Sequence, residues 1–192
     1  MLMLSIDIGT CNMAFYIEEF DDMSFISGDE KLGKLEQLYK AGKRIYWKVV
    51  NFEKDIRSGS EIFVPIIRFL DNNREMWDKC NGIILEKQMK INYNAQVLQY
   101  FIFAYFKNLY GPFKYISDIS ATRKTQVLGA PKKMNKKERK KWAVDEAHRA
   151  FLLRNDLEGI KILHTAKGDD LADSFLQLKA FQKLVFMDKI LP

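Results

Sequence analysis

Residues 4–10 read Leu-Ser-Ile-Asp-Ile-Gly-Thr, an apolar run that carries one acid and ends in a glycine turn. The run from residue 2 to residue 8 predicts a buried strand, since it is short, apolar and bounded by turn residues. Asp7 lies near the end of this strand, and a carboxylate is costly to bury there without a partner. The stretch therefore predicts a core strand with an acid that needs a compensating charge.

Three further acids stand in comparable positions. Glu86 ends the apolar run that begins at Gly82, and Asp170 and Asp173 lie in the segment Gly-Asp-Asp-Leu-Ala-Asp-Ser, residues 168–174. Asp170 and Asp173 share one face of a predicted helix, near its positive end. If the strand of Asp7 lies beside the strand of Glu86, all four acids meet at one sheet edge. Such a cluster repels itself without metal, whereas two Mg²⁺ ions about 4 Å apart would stabilise it and cut a phosphodiester in line.

The composition indicates one folded domain, residues 1–192, because 192 residues of which 47% are hydrophobic suffice for a packed core. No apolar stretch approaches the roughly 20 residues of a membrane helix, and we expect no signal peptide, because no basic region precedes the first apolar residues. Cys11 and Cys80 do not make a disulfide framework, so a reducing compartment is expected.

Positive charge is concentrated in one segment. The formal net charge is +6, and seven of the eleven residues from Pro131 to Lys141 are basic: Lys132, Lys133, Lys136, Lys137, Arg139, Lys140 and Lys141. Such a run indicates a polyanion partner, with nucleic acid the first candidate. A solvated helix face or a nuclear localisation signal would produce the same pattern.

The hydrophobic pattern predicts a mixed sheet flanked by helices, an α/β fold. Strands are predicted at 2–8, 13–20, 44–53, 82–87 and 113–119, and helices at 62–77, 93–109, 135–154 and 169–187. Asn135 and Glu138 form a capping-box pattern at the start of the third helix. Residues 122–135 are interpreted as an exposed loop and residues 155–168 as irregular. The 93–109 helix is apolar nearly all round, which is typical of a deeply buried helix or a subunit interface.

Three motifs resemble those of a known superfamily. Asp-Ile-Gly-Thr at 7–10, Ile-Leu-Glu-Lys-Gln at 84–88 and Asp-Leu-Ala-Asp-Ser at 170–174 resemble the RuvC-like branch of the ribonuclease H-like superfamily. Within that branch, the chain is similar to the poxvirus Holliday junction resolvases from residue 3 to about residue 186. The resemblance implies a ribonuclease H-like mixed five-stranded sheet flanked by helices, in a single RuvC-like nuclease domain.

The resemblance also implies an activity and its participants. We expect an endonuclease that acts as a homodimer on four-way DNA junctions, with paired symmetric cuts, in the cytoplasm of a virus-infected host cell. It would use two Mg²⁺ ions per active site, for which Mn²⁺ can substitute. The implied metal ligands are Asp7, Glu86, Asp170 and Asp173.

The resemblance further implies a catalytic lysine beside the acids. Lys124 is one candidate, because the segment 123–129 resembles a RuvC segment, and Lys137 or Lys140 is the alternative. We expect DNA contacts from the basic run, specifically Lys132, Lys133, Lys136, Lys137, Arg139 and Lys140.

Three other functions are considered. A ribonuclease H-type nuclease on RNA–DNA hybrids would use the same acids. An ATP-binding protein of the actin-like fold also begins with such a strand, but the sequence has no second glycine-rich phosphate loop. A nucleic-acid-binding module without catalysis would need only the basic run and would leave the acids unexplained.

Overall fold

Five strands form one mixed sheet in the computed structural model, which describes residues 1–21, 33–52, 61–165 and 167–189. The strand order is β3-β2-β1-β4-β5, with β1 antiparallel to β2, β2 antiparallel to β3, and β4 parallel to both β1 and β5. The strands are β1 (Leu2–Ile8), β2 (Asn12–Glu19), β3 (Lys43–Asn51), β4 (Gly82–Lys87) and β5 (Tyr115–Ser120). The predicted α/β class and five-stranded mixed sheet are confirmed.

Helices cover both faces of this sheet. Met3 and Ile84 pack into a core with α1, α6, α7 and α8, whereas Leu4, Ile6 and Ile83 pack into a second core with α2, α3 and α4. Successive residues of each strand therefore face the helical layers on opposite sides of the sheet. The helices are α1 (Lys34–Lys40), α2 (Phe63–Asn72), α3 (Arg74–Asp78), α4 (Tyr93–Tyr110), α5 (Ala121–Val127), α6 (Lys136–Leu153), α7 (Leu157–Leu163) and α8 (Gly168–Gln182), and one wider turn, Lys183–Met187, continues α8. Within the described ranges, no helix combines the length and the apolar character that crossing a membrane requires.

The long helices follow the sequence pattern closely. The predicted capping box of α6 is present: the Asn135 side chain accepts from the Glu138 amide at 3.0 Å, and the Glu138 carboxylate accepts from the Asn135 amide at 2.7 Å. The predicted helix 62–77 is divided at Asn73, which separates α2 from α3. The Asn73 side-chain amide donates to the Phe69 carbonyl at 2.7 Å, so it satisfies one of the carbonyls at the end of α2.

Two segments that we interpreted as non-helical contain short helices. The predicted loop 122–135 is wrong in its first half, because α5 occupies Ala121–Val127 and its cap Ser120 accepts from the Arg123 amide at 3.2 Å. The irregular segment 155–168 is wrong over α7, where the cap Asp156 accepts from the Gly159 amide at 2.8 Å. Each helix has only seven residues, too few for an apolar period to appear in the sequence. The capping residues Ser120 and Asp156 are therefore what marks where these two helices begin.

A buried ion cluster joins the helical layer to β2. Glu18 of β2 pairs with Arg154 at 2.8 Å and with Lys179 of α8, and it accepts from the Tyr16 hydroxyl at 2.6 Å. Lys179 also donates to two carbonyls at the end of α1, at 3.2 and 3.1 Å. Burial alone would raise the pKa of Glu18, but Arg154 and Lys179 outweigh it and lower that pKa to about 2. Glu18 is therefore ionised, and it connects β2, α6 and α8.

Replacing Glu18 by Gln should destabilise the protein, since the change leaves the buried Arg154 and Lys179 side chains without their carboxylate. The loss expected on breaking such a buried pair is about 3–5 kcal/mol. A carboxylate with a depressed pKa stabilises the fold above its ordinary value of 4.5 and loses that contribution as pH falls towards about 2. The difference between wild type and Glu18→Gln in urea unfolding should therefore narrow across this window.

The matched control is Glu19→Gln, the next residue on β2, whose side chain is exposed. This control should unfold like the wild type. A Glu18→Gln protein that unfolds at the wild-type urea concentration near pH 7 would contradict the assigned role of the cluster.

Candidate active site

Parallel pairing of β1 and β4 brings Asp7 and Glu86 to one end of the sheet. Ile6 lies opposite Leu85 in the register, so Asp7 and Glu86 occupy the next position on each strand. Both belong to the alternate set of residues that faces α8. Glu86 lies close enough to Asp7 to raise the pKa of the Asp7 carboxyl group. The expected neighbourhood of the two strands, and of these two acids, is confirmed.

Helix α8 adds Asp173 to this pair. One turn further along, the buried Gln177 side-chain amide donates to the Ile6 carbonyl at 3.1 Å and to the Ile84 carbonyl at 3.0 Å. These carbonyls belong to β1 and β4, just before Asp7 and Glu86. Gln177 therefore fixes where α8 crosses the sheet. Gln177 could not be predicted from the sequence, because a glutamine within an apolar helix carries no signal of what it contacts.

Lys124 of α5 stands between two of the acids. Its ammonium lies 2.6 Å from Asp173 Oδ1 and 3.6 Å from Glu86 Oε1, and only 3% of the residue is exposed. Burial by itself lowers the pKa of Lys124, but Asp173, Glu86 and Asp7 raise it above its ordinary value. Lys124 is therefore positively charged. Of the lysine candidates that the sequence left open, Lys140 instead pairs with Asp169.

The surroundings of Asp7 oppose the ionisation of its carboxyl group. Its pKa is raised well above the ordinary value, first by burial and then by repulsion from Glu86 and Asp173, while Lys124 acts in the opposite direction. Three carboxylates around one ammonium leave an excess of negative charge. Hard carboxylate oxygens with unbalanced charge fit a divalent cation such as Mg²⁺ or Mn²⁺. Within residues 1–21, 33–52, 61–165 and 167–189, no three His, Cys, Asp or Glu side chains already converge on one metal-binding point.

Asp170 is the predicted ligand that the structure places least directly. It lies in the first turn of α8 and is half-buried. Its pKa is raised by burial first, then by the neighbouring Asp169, and Asp173 adds to the repulsion. Asp170 is thus associated with the cluster through Asp173, whereas Asp7, Glu86, Asp173 and Lys124 interact with one another.

A basic cleft opens beside these acids. It has a volume of about 470 Å³, and its wall includes Glu86, Lys124 and Asp173. Five of the six predicted DNA-binding residues line the same cleft: Lys132, Lys133, Lys136, Arg139 and Lys140. Lys137 is exposed and is not part of this lining. The cationic walls of this cleft attract phosphate, and the acids lie in the same cleft where a phosphodiester backbone would bind.

Proteins similar in sequence to this chain occur in invertebrate iridescent viruses. The chain is 28% identical to uncharacterized protein 170L of Invertebrate iridescent virus 6, over 96% of this chain and 90% of that protein. It is 35% identical to uncharacterized protein 97L of Invertebrate iridescent virus 3, over 65% of this chain and 58% of that protein. No family model matches.

Among solved structures, the fowlpox virus resolvase in complex with Holliday junction DNA matches with a TM-score of 0.63 and 23% identity, over 96% of this chain and 99% of that one. RuvC of Thermus thermophilus matches with a TM-score of 0.57 and 14% identity, over 95% and 96% of the two chains. The chain therefore has the RuvC-like, ribonuclease H-like fold that the sequence motifs predicted.

Replacing Lys124 by Met should destabilise the metal-free protein by about 1–3 kcal/mol, because buried carboxylate oxygens lose their partner. Mg²⁺ should then raise the melting temperature of Lys124→Met more than that of the wild type, since a cation substitutes for the missing ammonium. Thermal unfolding followed by circular dichroism, with and without Mg²⁺, measures both effects. Lys161→Met, at an exposed site, is the control. An unchanged melting temperature and an unchanged Mg²⁺ response would contradict the account of Lys124.

Proposed function

We propose that this protein is a divalent-metal-dependent endonuclease of the poxvirus resolvase type, which resolves four-way DNA junctions by paired symmetric cuts. One observation carries the proposal: Asp7, Glu86 and Asp173 surround the buried Lys124 beside a basic cleft. The RuvC-like fold supports it, because the fowlpox resolvase and a Thermus thermophilus RuvC structure with similar folds are complexes with Holliday junction DNA.

The acids and the lysine take different roles in this proposal. Asp7, Glu86 and Asp173 would hold Mg²⁺ or Mn²⁺, with Asp170 available from the preceding turn of α8 for a second ion. A metal bound there would activate water and stabilise the leaving oxygen. Lys124 keeps Glu86 and Asp173 in place through its ion pairs and adds positive charge next to the scissile phosphate. The basic rim positions the neighbouring phosphates.

A role in binding alone explains this arrangement less well. A module that only held DNA would gain nothing from acids in the wall of its basic cleft, because they repel phosphate. A ribonuclease H-type activity on RNA–DNA hybrids would use the same acids. That activity differs from the proposed one in its substrate, so a cleavage assay that compares a four-way junction with an RNA–DNA hybrid distinguishes the two.

We also propose that the protein acts as a homodimer, since a two-fold junction needs two active sites for paired cuts. The outer side of α4 and the adjacent α2 expose apolar residues, including Val64 (58% exposed) and Tyr100 (60% exposed). The available surface is narrower than the sequence suggested, because Phe106 is in the core and Phe101 packs on Phe63. Host cytoplasm is the proposed compartment, and it is supported by relatives that are proteins of invertebrate iridescent viruses.

Asp7→Asn, Glu86→Gln and Asp173→Asn should each abolish cleavage of a labelled four-way junction in Mg²⁺ and leave junction binding intact or tighter. Cleavage is lost because each change removes a negatively charged ligand of the metal ion. Binding is kept or improved because the same change removes a charge that repels phosphate. Gel assays of cleavage and of binding give the two readouts. Asp145→Asn, an exposed acid on α6, should cleave normally. If any of the three site variants retained wild-type cleavage, that residue would be removed from the proposed site.

Changing Lys132, Lys133 and Lys136 together to Ala should weaken junction binding and flatten its salt dependence. The log–log slope should fall by about 0.9 for each phosphate that the protein no longer neutralises. The charge-matched control changes Lys40, Lys43 and Lys48, which are exposed on the opposite flank near β3. Binding measured between about 50 and 200 mM salt gives the slopes. Equal slopes for the two triple variants would show that the cleft does not bind the DNA backbone.

Tyr100→Glu should convert the dimer to a monomer, because it places a charge on the proposed apolar interface. Sedimentation velocity at micromolar concentration measures the change, and paired cutting of a junction should fall while single nicking persists. Leu157→Glu, at an exposed apolar residue of α7 on the other face of the sheet, serves as the control for a charge on another surface. If the wild-type protein is a monomer in solution and still makes paired cuts, dimerisation would have to take place on the DNA instead.

A further inference from the structure

Gln88, two residues after Glu86, connects the ends of the two acid-bearing strands. Its side-chain amide donates to Glu86 Oε2 at 2.7 Å and to the Ile8 carbonyl at 3.0 Å. Ile8 directly follows Asp7 at the end of β1. One amide group therefore holds an acid of β4 and the backbone that carries the acid of β1. We propose that Gln88 is a positioning residue, which fixes the distance and orientation of Asp7 and Glu86 for the cation. This inference rests on the proposed function.

A second amide holds Gln88 in place. The backbone N–H of Gln88 donates to Gln99 Oε1 at 2.8 Å, and Gln99 Nε2 donates to Asp118 Oδ2 of β5 at 2.9 Å. Gln99 lies on α4 and is 2% exposed. Since an ionised carboxylate only accepts, Asp118 turns the NH₂ group of Gln99 towards itself and leaves the Gln99 oxygen for Gln88. Gln88 is therefore the donor to both Gln99 and Glu86: its backbone N–H donates to Gln99, which donates on to Asp118, and its side-chain amide donates to Glu86.

The chemistry of an amide suits this position. The two oxygens of Glu86 have separate partners, with Lys124 near Oε1 and Gln88 on Oε2, so the carboxylate is held in one orientation. An amide donor orients a carboxylate without neutralising it, whereas a second lysine would cancel the charge that attracts a cation. Partners of this kind, one step removed from a metal, commonly change metal affinity by about 10–100-fold when they are removed.

The test compares Gln88→Met and Gln99→Met with wild type. Mn²⁺ is titrated into the DNA-free protein by calorimetry, junction binding is measured in EDTA, and single-turnover cleavage is followed against Mg²⁺ concentration. The matched control is Gln96→Met, because Gln96 is also on α4 and its side chain makes no hydrogen bond among the described residues. We expect Gln88→Met to bind Mn²⁺ about 10–100-fold more weakly and to need correspondingly more Mg²⁺ for cleavage.

The expected pattern separates positioning from general stability. Gln88→Met should keep the junction affinity of the wild type within about twofold, and Gln99→Met should weaken Mn²⁺ binding in the same direction. The double variant should bind Mn²⁺ no worse than Gln88→Met alone, because the two residues act through one chain of contacts. Gln96→Met should match the wild type in every measurement.

Each alternative result has a defined meaning. Wild-type Mn²⁺ affinity in Gln88→Met overturns the proposal. If that variant fails to fold, Gln99→Met, which does not touch Glu86, decides by the same criterion. A wild type that binds Mn²⁺ but cuts no junction overturns the proposed function, and the Mn²⁺ affinities still judge Gln88. A wild type that binds no Mn²⁺ overturns both.

Discussion

The ammonium of Lys124 is the interaction on which the acidic end of the sheet depends. It contacts Asp173 and Glu86 and acts electrostatically on Asp7, so one positive charge stabilises three carboxylates from three different elements. Without it, the ends of β1, β4 and α8 would repel one another. The compensation is incomplete, since the pKa of Asp7 stays well above its ordinary value. This remaining imbalance is what makes the site suited to a cation and, beside the basic cleft, to a phosphodiester.

The position of Asp173 is set by buried polar contacts further along α8. Gln177, one turn after Asp173, donates to the carbonyls of β1 and β4. Two residues further along, Lys179 joins α8 to Glu18 of β2 and to the end of α1. A helix held by buried polar contacts at two such close positions cannot slide along the sheet without leaving several groups unsatisfied. The position of Asp173 therefore follows from packing, before any ion or DNA is bound.

Much of the fold was predictable from the sequence, because strands and long helices have readable periods. The five strands and the capping box at Asn135 follow from apolar patterns and cap residues. The pairing of β1 with β4 was a condition of the four-acid hypothesis, and the structure meets it. The short helices α5 and α7 were not predicted, since seven residues give no period. The choice of Lys124 over Lys140 depended on α5, because only a folded helix after β5 carries that side chain to the acids.

The buried polar contacts lay beyond the sequence for a different reason. Gln88, Gln99 and Gln177 are uncharged, and which groups they meet depends on how distant segments pack. The motif at 84–88 included Gln88 without revealing its partners. The same holds for Glu18 and Lys179, which are 161 residues apart in the chain. Sequence patterns identify which elements form, whereas pairing between distant polar side chains is a property of the assembled fold.

The most direct measurement is a substrate comparison with purified wild-type protein. Labelled four-way junction, linear duplex of the same sequence and RNA–DNA hybrid are incubated with Mg²⁺ or with EDTA, and the products are mapped on each strand. We expect Mg²⁺-dependent cuts at symmetric positions on two opposing strands of the junction, with little cutting of the duplex or the hybrid. Preferential cutting of the hybrid, or binding to the junction with no cleavage in Mg²⁺, would contradict it.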